Sequence, residues 1–401
     1  MVSRLVGKVP GNVKRSMLLM AALLAVGLTG CATKKSSSTE PVFFPPAPNP
    51  PRVQYLKGVN GSKDVVKEKA SFSVFSFGQV EEEAVKFISK PYGISTEKGK
   101  IYVVDSIAND VLIMDLAQQA FQALPGNKGL GKMRKPINLA VSKDGNLFVA
   151  DTFRKEILMY DPSGAYLKAY GKDMNMKPVD VAVDDVNLYA LDYANNEIKV
   201  IDRSSGELLR SIGKSTETVQ GLSMPTNMTI DSAGYLYVTN VGSGKIIKLD
   251  RDGHIVFSFG KMGDAFSEFG RPRGIAVDKE GRIYVVDASH QNVQIFNDKG
   301  RLLMFFGDPG YVEGSLNLPA GVTISTDNLE YFQKFADKDF ILEQIIVVTN
   351  QFGPVKVAFY GLGHLKGTVP PSNYEEPKAE PKPKAGEGKG GAAQAAPAPA
   401  K

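Results

Sequence analysis

Residues 272–307 read PRGIAVDKEGRIYVVDASHQNVQIFNDKGRLLMFFG. The segment begins with Pro272-Arg-Gly-Ile-Ala-Val-Asp278, turns at Glu280-Gly281 and continues as Ile283–Asp287. A short loop leads to Val293–Phe296, a second turn falls at Lys299-Gly300, and Leu302–Gly307 ends it. Four short runs of apolar or alternating character, divided by Gly-bearing turns, predict four antiparallel strands.

The pattern repeats. Segments beginning at Pro91, Pro136, Pro178, Pro225, Pro272 and Pro319 are spaced by 45, 42, 47, 47 and 47 residues. The second strand recurs as Ile101–Asp105, Leu147–Asp151, Leu188–Asp192, Leu236–Asn240, Ile283–Asp287 and Ile346–Asn350. The fourth ends in Gly171, Gly213, Gly260 and Gly307. Four strands per period of this length are the mark of a propeller. The expected fold class is all-β: a six-bladed β-propeller with four-stranded antiparallel blades, an N-terminal strand closing the last one. By phase, Phe75–Gly78 fits that closing role better than the alternative, Val53–Leu56, because it lies 13 residues before Pro91 and Gly260 lies 12 before Pro272. The sixth blade carries an insertion from about Thr326 to Glu343. There Leu329, Phe332, Phe335 and Ala336 fall at helical spacing, so a short amphipathic helix packed on the ring is expected.

The repeat resembles the NHL family over roughly residues 52–363, most closely from Gly260 through Gly263, Phe269 and Pro272 to Asp287. WD and kelch repeats fit worse, since Trp-Asp does not occur and neither a Gly-His pair nor a Gly-Gly doublet recurs in each blade. More loosely, the Pro-rich leader, Arg52–Gly58 and Thr349–Gly353 look like propeller lipoproteins of metal-reducing bacteria. That resemblance implies multihaem cytochromes as partners.

The two ends read differently. Arg4, Lys8, Lys14 and Arg15 precede an apolar run from Met17 to Leu28, followed by Leu28-Thr29-Gly30-Cys31. Twelve apolar residues fall short of the about 20 a spanning helix needs. Basic start, short apolar run and small residues at the cut make residues 1–30 a secretory signal. The last four residues resemble the bacterial lipobox, which implies lipidation of Cys31, the chain's only cysteine. Stable anchoring takes more than one acyl chain, which such lipoproteins carry. Ala32 after the cysteine implies the outer membrane. Residues 31–51 form a Ser/Pro-rich tether, residues 52–365 the propeller, and residues 366–401, rich in Pro, Lys, Gly and Ala, a tail with little to bury.

Composition removes several functions. The formal charge of +5 falls away with the signal: four of 48 bases go and no acid, leaving 44 against 43. A near-neutral exported chain argues against nucleic acid. A single cysteine excludes an internal disulfide, a Cys-based metal knuckle and a c-type haem site. Gly126-x4-Gly131-Lys132 approaches a phosphate loop, but Met133 stands where Ser or Thr would hold Mg²⁺, and a strand follows instead of a helix. His254, His290 and His364 fall in different parts of the repeat, His364 after the last strand, so they do not predict a three-ligand zinc site.

Two rings of polar residues remain. Two positions after each repeat proline stand Gly93, Asn138, Asp180, Asn227, Gly274 and Gly321. They open the innermost strands, so Asn138, Asp180 and Asn227 could offer oxygens to Ca²⁺ at the channel mouth, as in gluconolactonase-like propellers. A turn needing positive φ in every blade explains the set without an ion. Asp105, Asp151, Asp192 and Asp287 close the second strands and read as loop-bonding groups rather than a carboxylate ring.

The loops entering the first strand and joining the second to the third form one face. They hold Tyr92, Arg134, Lys135, Phe153, Arg154, Lys155, Tyr193, Arg271, Arg273, His290 and Phe352, together with Lys90 and Lys177. Basic and aromatic residues on one rim suit an acidic partner, although Glu156, Asp180, Glu197 and Glu268 lie nearby. The expectation is a non-catalytic, monomeric, lipid-anchored scaffold for a protein, without a cofactor. The alternative is a Ca²⁺-dependent hydrolase or lyase.

Overall fold

Each second strand is buried on both sides, because a blade packs between two others. In IYVVD at Ile283–Asp287, Tyr284 and Val286 join one apolar cluster with the sixth blade. Ile283 and Val285 join another with the fourth. The period-2 alternation of a strand thus serves two cores at once. In the computed structural model, which describes residues 40–67, 85–217 and 219–368, six such clusters form, one at each junction between neighbouring blades. Burying a side chain such as Val, Leu or Phe stabilises by roughly 1.5–3 kcal/mol. The chain divides into two compact units between Pro41 and Val42, and the propeller is the second.

Blade 1 comprises β3 (Pro91–Glu97), β4 (Lys100–Asp105), β5 (Asp110–Asp115) and β6 (Ala120–Ala123). Blades 2 to 5 repeat this order from Pro136, Pro178, Pro225 and Pro272, with antiparallel pairing throughout. The innermost strands touch their neighbours round a complete circle. The glycines ending the fourth strands, Gly171, Gly213, Gly260 and Gly307, have φ of +91°, +83°, +85° and +83°, a conformation L side chains avoid.

Blade 6 has five strands. Its inner three are β23 (Pro319–Ser325), β24 (Phe340–Asn350) and β25 (Val357–Leu365). Outside them lie β2 (Val53–Val59) and β1 (Phe43–Phe44), in the order β1-β2-β25-β24-β23. Val53 pairs with Leu362 and Val59 with Val357. The place expected for Phe75–Gly78 is therefore taken by the alternative, Val53–Val59; Phe75–Gly78 lies outside the described residues, as do Cys31, residues 1–30 and residues 369–401. Part of the stretch read as tether joins the sheet, since Phe43 and Phe44 pair with Gln54 and Val53.

The insertion forms a shorter helix than its pattern predicts. Helix α1 spans only Leu329–Gln333, because residues from Phe340 onward extend β24 instead. Phe332 is buried against Phe359, and Leu329 and Ala336 pack on the same cluster. Phe335 stays at the surface under the Lys57 ammonium. His364 sits within β25 rather than after it and bonds Glu343 at 2.7 Å.

Candidate binding face and channel mouth

Four aspartates build the upper face, formed by the loops between second and third strands and by the blade-to-blade connections. Asp151 is fully buried at the end of its strand and accepts backbone N–H groups from two loops at once. Arg134 and Lys135 donate from the incoming connection, Phe153 and Arg154 from the outgoing loop. Asp105 does the same for Ser89, Lys90, Ile107 and Ala108. Asp287 takes Gly270, Arg271, Ser289 and His290. Asp192 accepts from Lys177, Ala194 and the Asn195 amide. A buried carboxylate accepting several N–H bonds is stable, and the backbone of the rim is fixed by it.

That frame sets cations against aromatic rings. The Arg134 guanidinium lies 5.5 Å from the Phe153 ring, Lys90 Nζ 5.3 Å from Phe352 and Lys177 Nζ 5.2 Å from Tyr193. Phe153 and Phe352 remain 63% and 55% exposed, so these pairs present apolar area with charge on top. Lys135, Lys155 and Arg271 are exposed on the same rim. Further large apolar side chains stand free in the upper loops, among them Ile107, Leu130, Phe266 and Tyr311.

Three acids that neighbour this rim in sequence are paired, whereas Asp173, Glu217, Asp264, Asp308 and Glu313 are exposed on the same blade-to-blade connections. Glu156 holds Arg154 at 2.7 Å, Glu268 holds Lys261 at 2.7 Å, and buried Glu197 bonds Lys199 at 2.6 Å and Lys214 at 2.9 Å. Some of the predicted rim residues are committed too. Arg154 donates to the Leu130 and Lys132 carbonyls besides Glu156, so it fastens the loop beneath it. His290 lies between Asp287 at 2.9 Å and Asp264 at 3.1 Å. Arg273 is buried, and Tyr92 is half-buried beside it.

At the channel mouth, Asn138, Asp180 and Asn227 line one cavity of about 210 Å³ with Gly274 and Gly321. None of the six residues of that ring has positive φ, so the turn explanation fails. What the position demands is close passage between inner strands. A Cβ on Gly93 would stand 2.6 Å from the Asn138 Cα, and one on Gly321 2.5 Å from the Tyr92 carbonyl. Where a side chain is present it bolts the next blade: Asn138 Nδ2 donates to the Val179 carbonyl at 2.8 Å, and Asp180 accepts from Met228 N–H at 2.8 Å. Burial pushes the Asp180 carboxyl up to about 8, so it is largely protonated at neutral pH. Asn227 Oδ1 is buried without a partner. Among the described residues no group of three His, Cys, Asp or Glu stands close enough to hold a metal ion. His254 bonds Asp250, and the three histidines stay apart, each on its own acid.

Residues 269–296 match the NHL repeat, which includes the stretch of clearest periodicity. Among solved structures, a protein of unknown function from Bacteroides thetaiotaomicron aligns at 15% identity with a TM-score of 0.53, covering 77% of this chain and 75% of that one. A streptogramin B lyase aligns at 15% and 0.49, covering 68% and 94%. A gluconolactonase from Xanthomonas campestris gives 16% and 0.48, covering 68% and 86%. At such identities the likeness is one of fold. The protein is a six-bladed β-propeller, one stretch of which, residues 269–296, matches the NHL repeat.

Proposed function

We propose that this propeller is a non-catalytic binding protein, held to the cell envelope through lipid on Cys31, whose upper face receives an acidic protein surface. The observation that carries the reading is the set of cations held against aromatic rings on that face. Arg134, Lys135, Lys155 and Arg271 reach solvent, while Glu156, Glu197 and Glu268 are spent on internal pairs. Exposed aromatic rings with cations against them add area that is favourable to bury. Outer-membrane placement and multihaem cytochromes as partners follow from the lipobox and the lipoprotein resemblance.

The Ca²⁺-dependent hydrolase or lyase has less support. Such a site needs ionised oxygens and an acid or base at the channel mouth. Burial favours the neutral form of Asp180 there, and both its oxygens already accept backbone N–H groups, from Val181 and Met228.

The test is capture from solubilised envelope by the full-length protein, comparing wild type with Arg134→Glu/Lys135→Glu and with Lys143→Glu on the opposite face. A partner held by wild type and by Lys143→Glu, and released from the double variant, supports the proposal. Equal retention by the double variant sinks it.

A further inference from the structure

Arg273 is the second residue of the innermost strand of blade 5 and only 7% exposed. At the same rung blade 6 carries Ala320 and blade 1 carries Tyr92. With only a methyl on the intervening blade, the guanidinium reaches across and lies 5.2 Å from the Tyr92 ring. Arg273 precedes Gly274 and Tyr92 precedes Gly93, so the pair stands one residue nearer the upper face than the ring of Gly, Asn and Asp.

The charge on Arg273 is uncompensated. Its Nη1 is sealed from solvent without a hydrogen-bond partner. The charged or ionisable groups that act on it are Tyr92 and a second cation, Arg271, and burial lowers its pKa. A guanidinium nevertheless stays protonated at any physiological pH. Two other partly or fully buried cations of this face have acids: Arg154 has Glu156 and Lys199 has Glu197. Asp180, the acid of the neighbouring ring, spends its oxygens on Val181 and Met228. A buried charge without a counter-charge is costly to keep, and the Tyr92 ring offsets only part of that cost.

We propose that the channel mouth is a carboxylate-binding site, with Arg273 supplying the guanidinium fork, Arg271 a second positive charge and Tyr92 a neutral hydroxyl donor. A planar fork fixed by an aromatic ring matches the two coplanar oxygens of a carboxylate. The nearest second cation, Arg271, is exposed, and among the described residues the mouth offers no helix N-terminus, so a singly charged planar anion suits it better than a phosphate dianion. The carboxylate comes either from a small free acid or from an acidic side chain of a docked protein. The site stands independently of whether the outer rim binds a protein.

The test uses the full chain, melted at constant ionic strength against sodium propionate, the neutral isostere propionamide, inorganic phosphate, and the peptide acetyl-Gly-Asp-Gly-amide. Wild type should show a saturable rise in Tm with propionate or with the peptide, and none with propionamide. A response to the peptide alone assigns the site to protein carboxylates; a response to propionate assigns it to free acids. Arg273→Met should abolish the rise, and Arg273→Lys, which keeps charge and loses the fork, should weaken affinity at least tenfold. Without added anion, Arg273→Met should melt above wild type, because a buried charge has gone. Melting below wild type, or failure to fold, would show that Arg273 is a structural bolt and overturn the proposal. So would a response to phosphate alone, or a propionate response that survives in Arg273→Met.

Discussion

Replacing Asp151 by Asn changes one atom of the bolt that holds the upper face. The carboxylate accepts four backbone N–H groups: Oδ2 takes Arg134 at 2.6 Å, Oδ1 takes Phe153 and Arg154 at 3.1 and 2.9 Å, and Lys135 is shared at 3.1 Å. An asparagine keeps one oxygen for Phe153, Arg154 and Lys135, and then turns an amide N–H towards the Arg134 N–H. One bond to a charged acceptor, worth about 1.5–3 kcal/mol net, is lost, and two donors are left facing each other. The expected loss is therefore about 2–3 kcal/mol in urea unfolding followed by circular dichroism, with faster amide exchange at Arg134 and Phe153. The molecule contains its own control. Blade 4 has Asn240 at the equivalent position, where the side-chain amide finds Ser243 Oγ at 2.8 Å and Oδ1 accepts from Ser223 at 2.6 Å. Because that hydroxyl can reverse its role, Asn240→Asp should cost under about 1 kcal/mol. If Asp151→Asn lies within about 0.5 kcal/mol of wild type, or if the two substitutions cost the same, the account of the rim is wrong.

Asp180 should make stability depend on pH. Its carboxyl ionises at about 8 in the folded protein and near about 4 in the unfolded chain, so the folded state holds the extra proton between those values. Its contribution is complete below pH 4 and is lost as pH rises towards 8; Asp180→Asn, which sets its amide against the Val181 or Met228 N–H, should cost stability at low pH and flatten that slope between pH 5 and 8. A slope unchanged in the variant would refute the assignment. Arg154→Met should loosen the connection at Leu130 and Lys132, seen as faster exchange there, with little change in Tm because the blade cores are untouched. Unchanged exchange would mean that the guanidinium does not fasten the loop. Cys31→Ala should abolish labelling by a palmitate analogue and release the protein from membranes; labelling that persists would remove the anchor.

The blades were legible because their period is written in residues that each blade needs separately: the opening proline, the Asp of the second strand, the closing glycine. Asp105, Asp151, Asp192 and Asp287 even announced their role, since one acid per blade is what a local backbone bond selects. The closing strand was not legible by phase. Counting back from Pro91 assumes that blade 6 is spaced like the others, whereas β2 approaches it from outside as VQYLKGV, whose alternation a bulge between Tyr55 and Lys57 interrupts. The ring of Gly, Asn and Asp at the channel mouth was found but misexplained, because those residues mark tight strand approach as well as positive φ. Nor does sequence alone reveal that Arg273 is buried. Arginine reads as surface, and the space it uses is set by Ala320 on a different blade.

The sixth blade, finally, is assembled from both ends of the domain, and this fixes how a pull on the N-terminus would travel. If the protein hangs from Cys31 while its upper face is held by a partner, the load enters at Phe43 and passes through β1 and β2 before reaching any other strand. β1 folds back antiparallel on β2 through only two residue pairs, so tension there peels bonds one after another instead of shearing a whole strand at once. β2 comes next, and with it the seam between Val53 and Leu362, about 300 residues apart in sequence, whose re-closure carries a loop-entropy cost of about 5 kcal/mol. The ring therefore has a built-in weakest link where its N-terminal strands join blade 6, and under such a load it would yield there while the other five blades kept their shape.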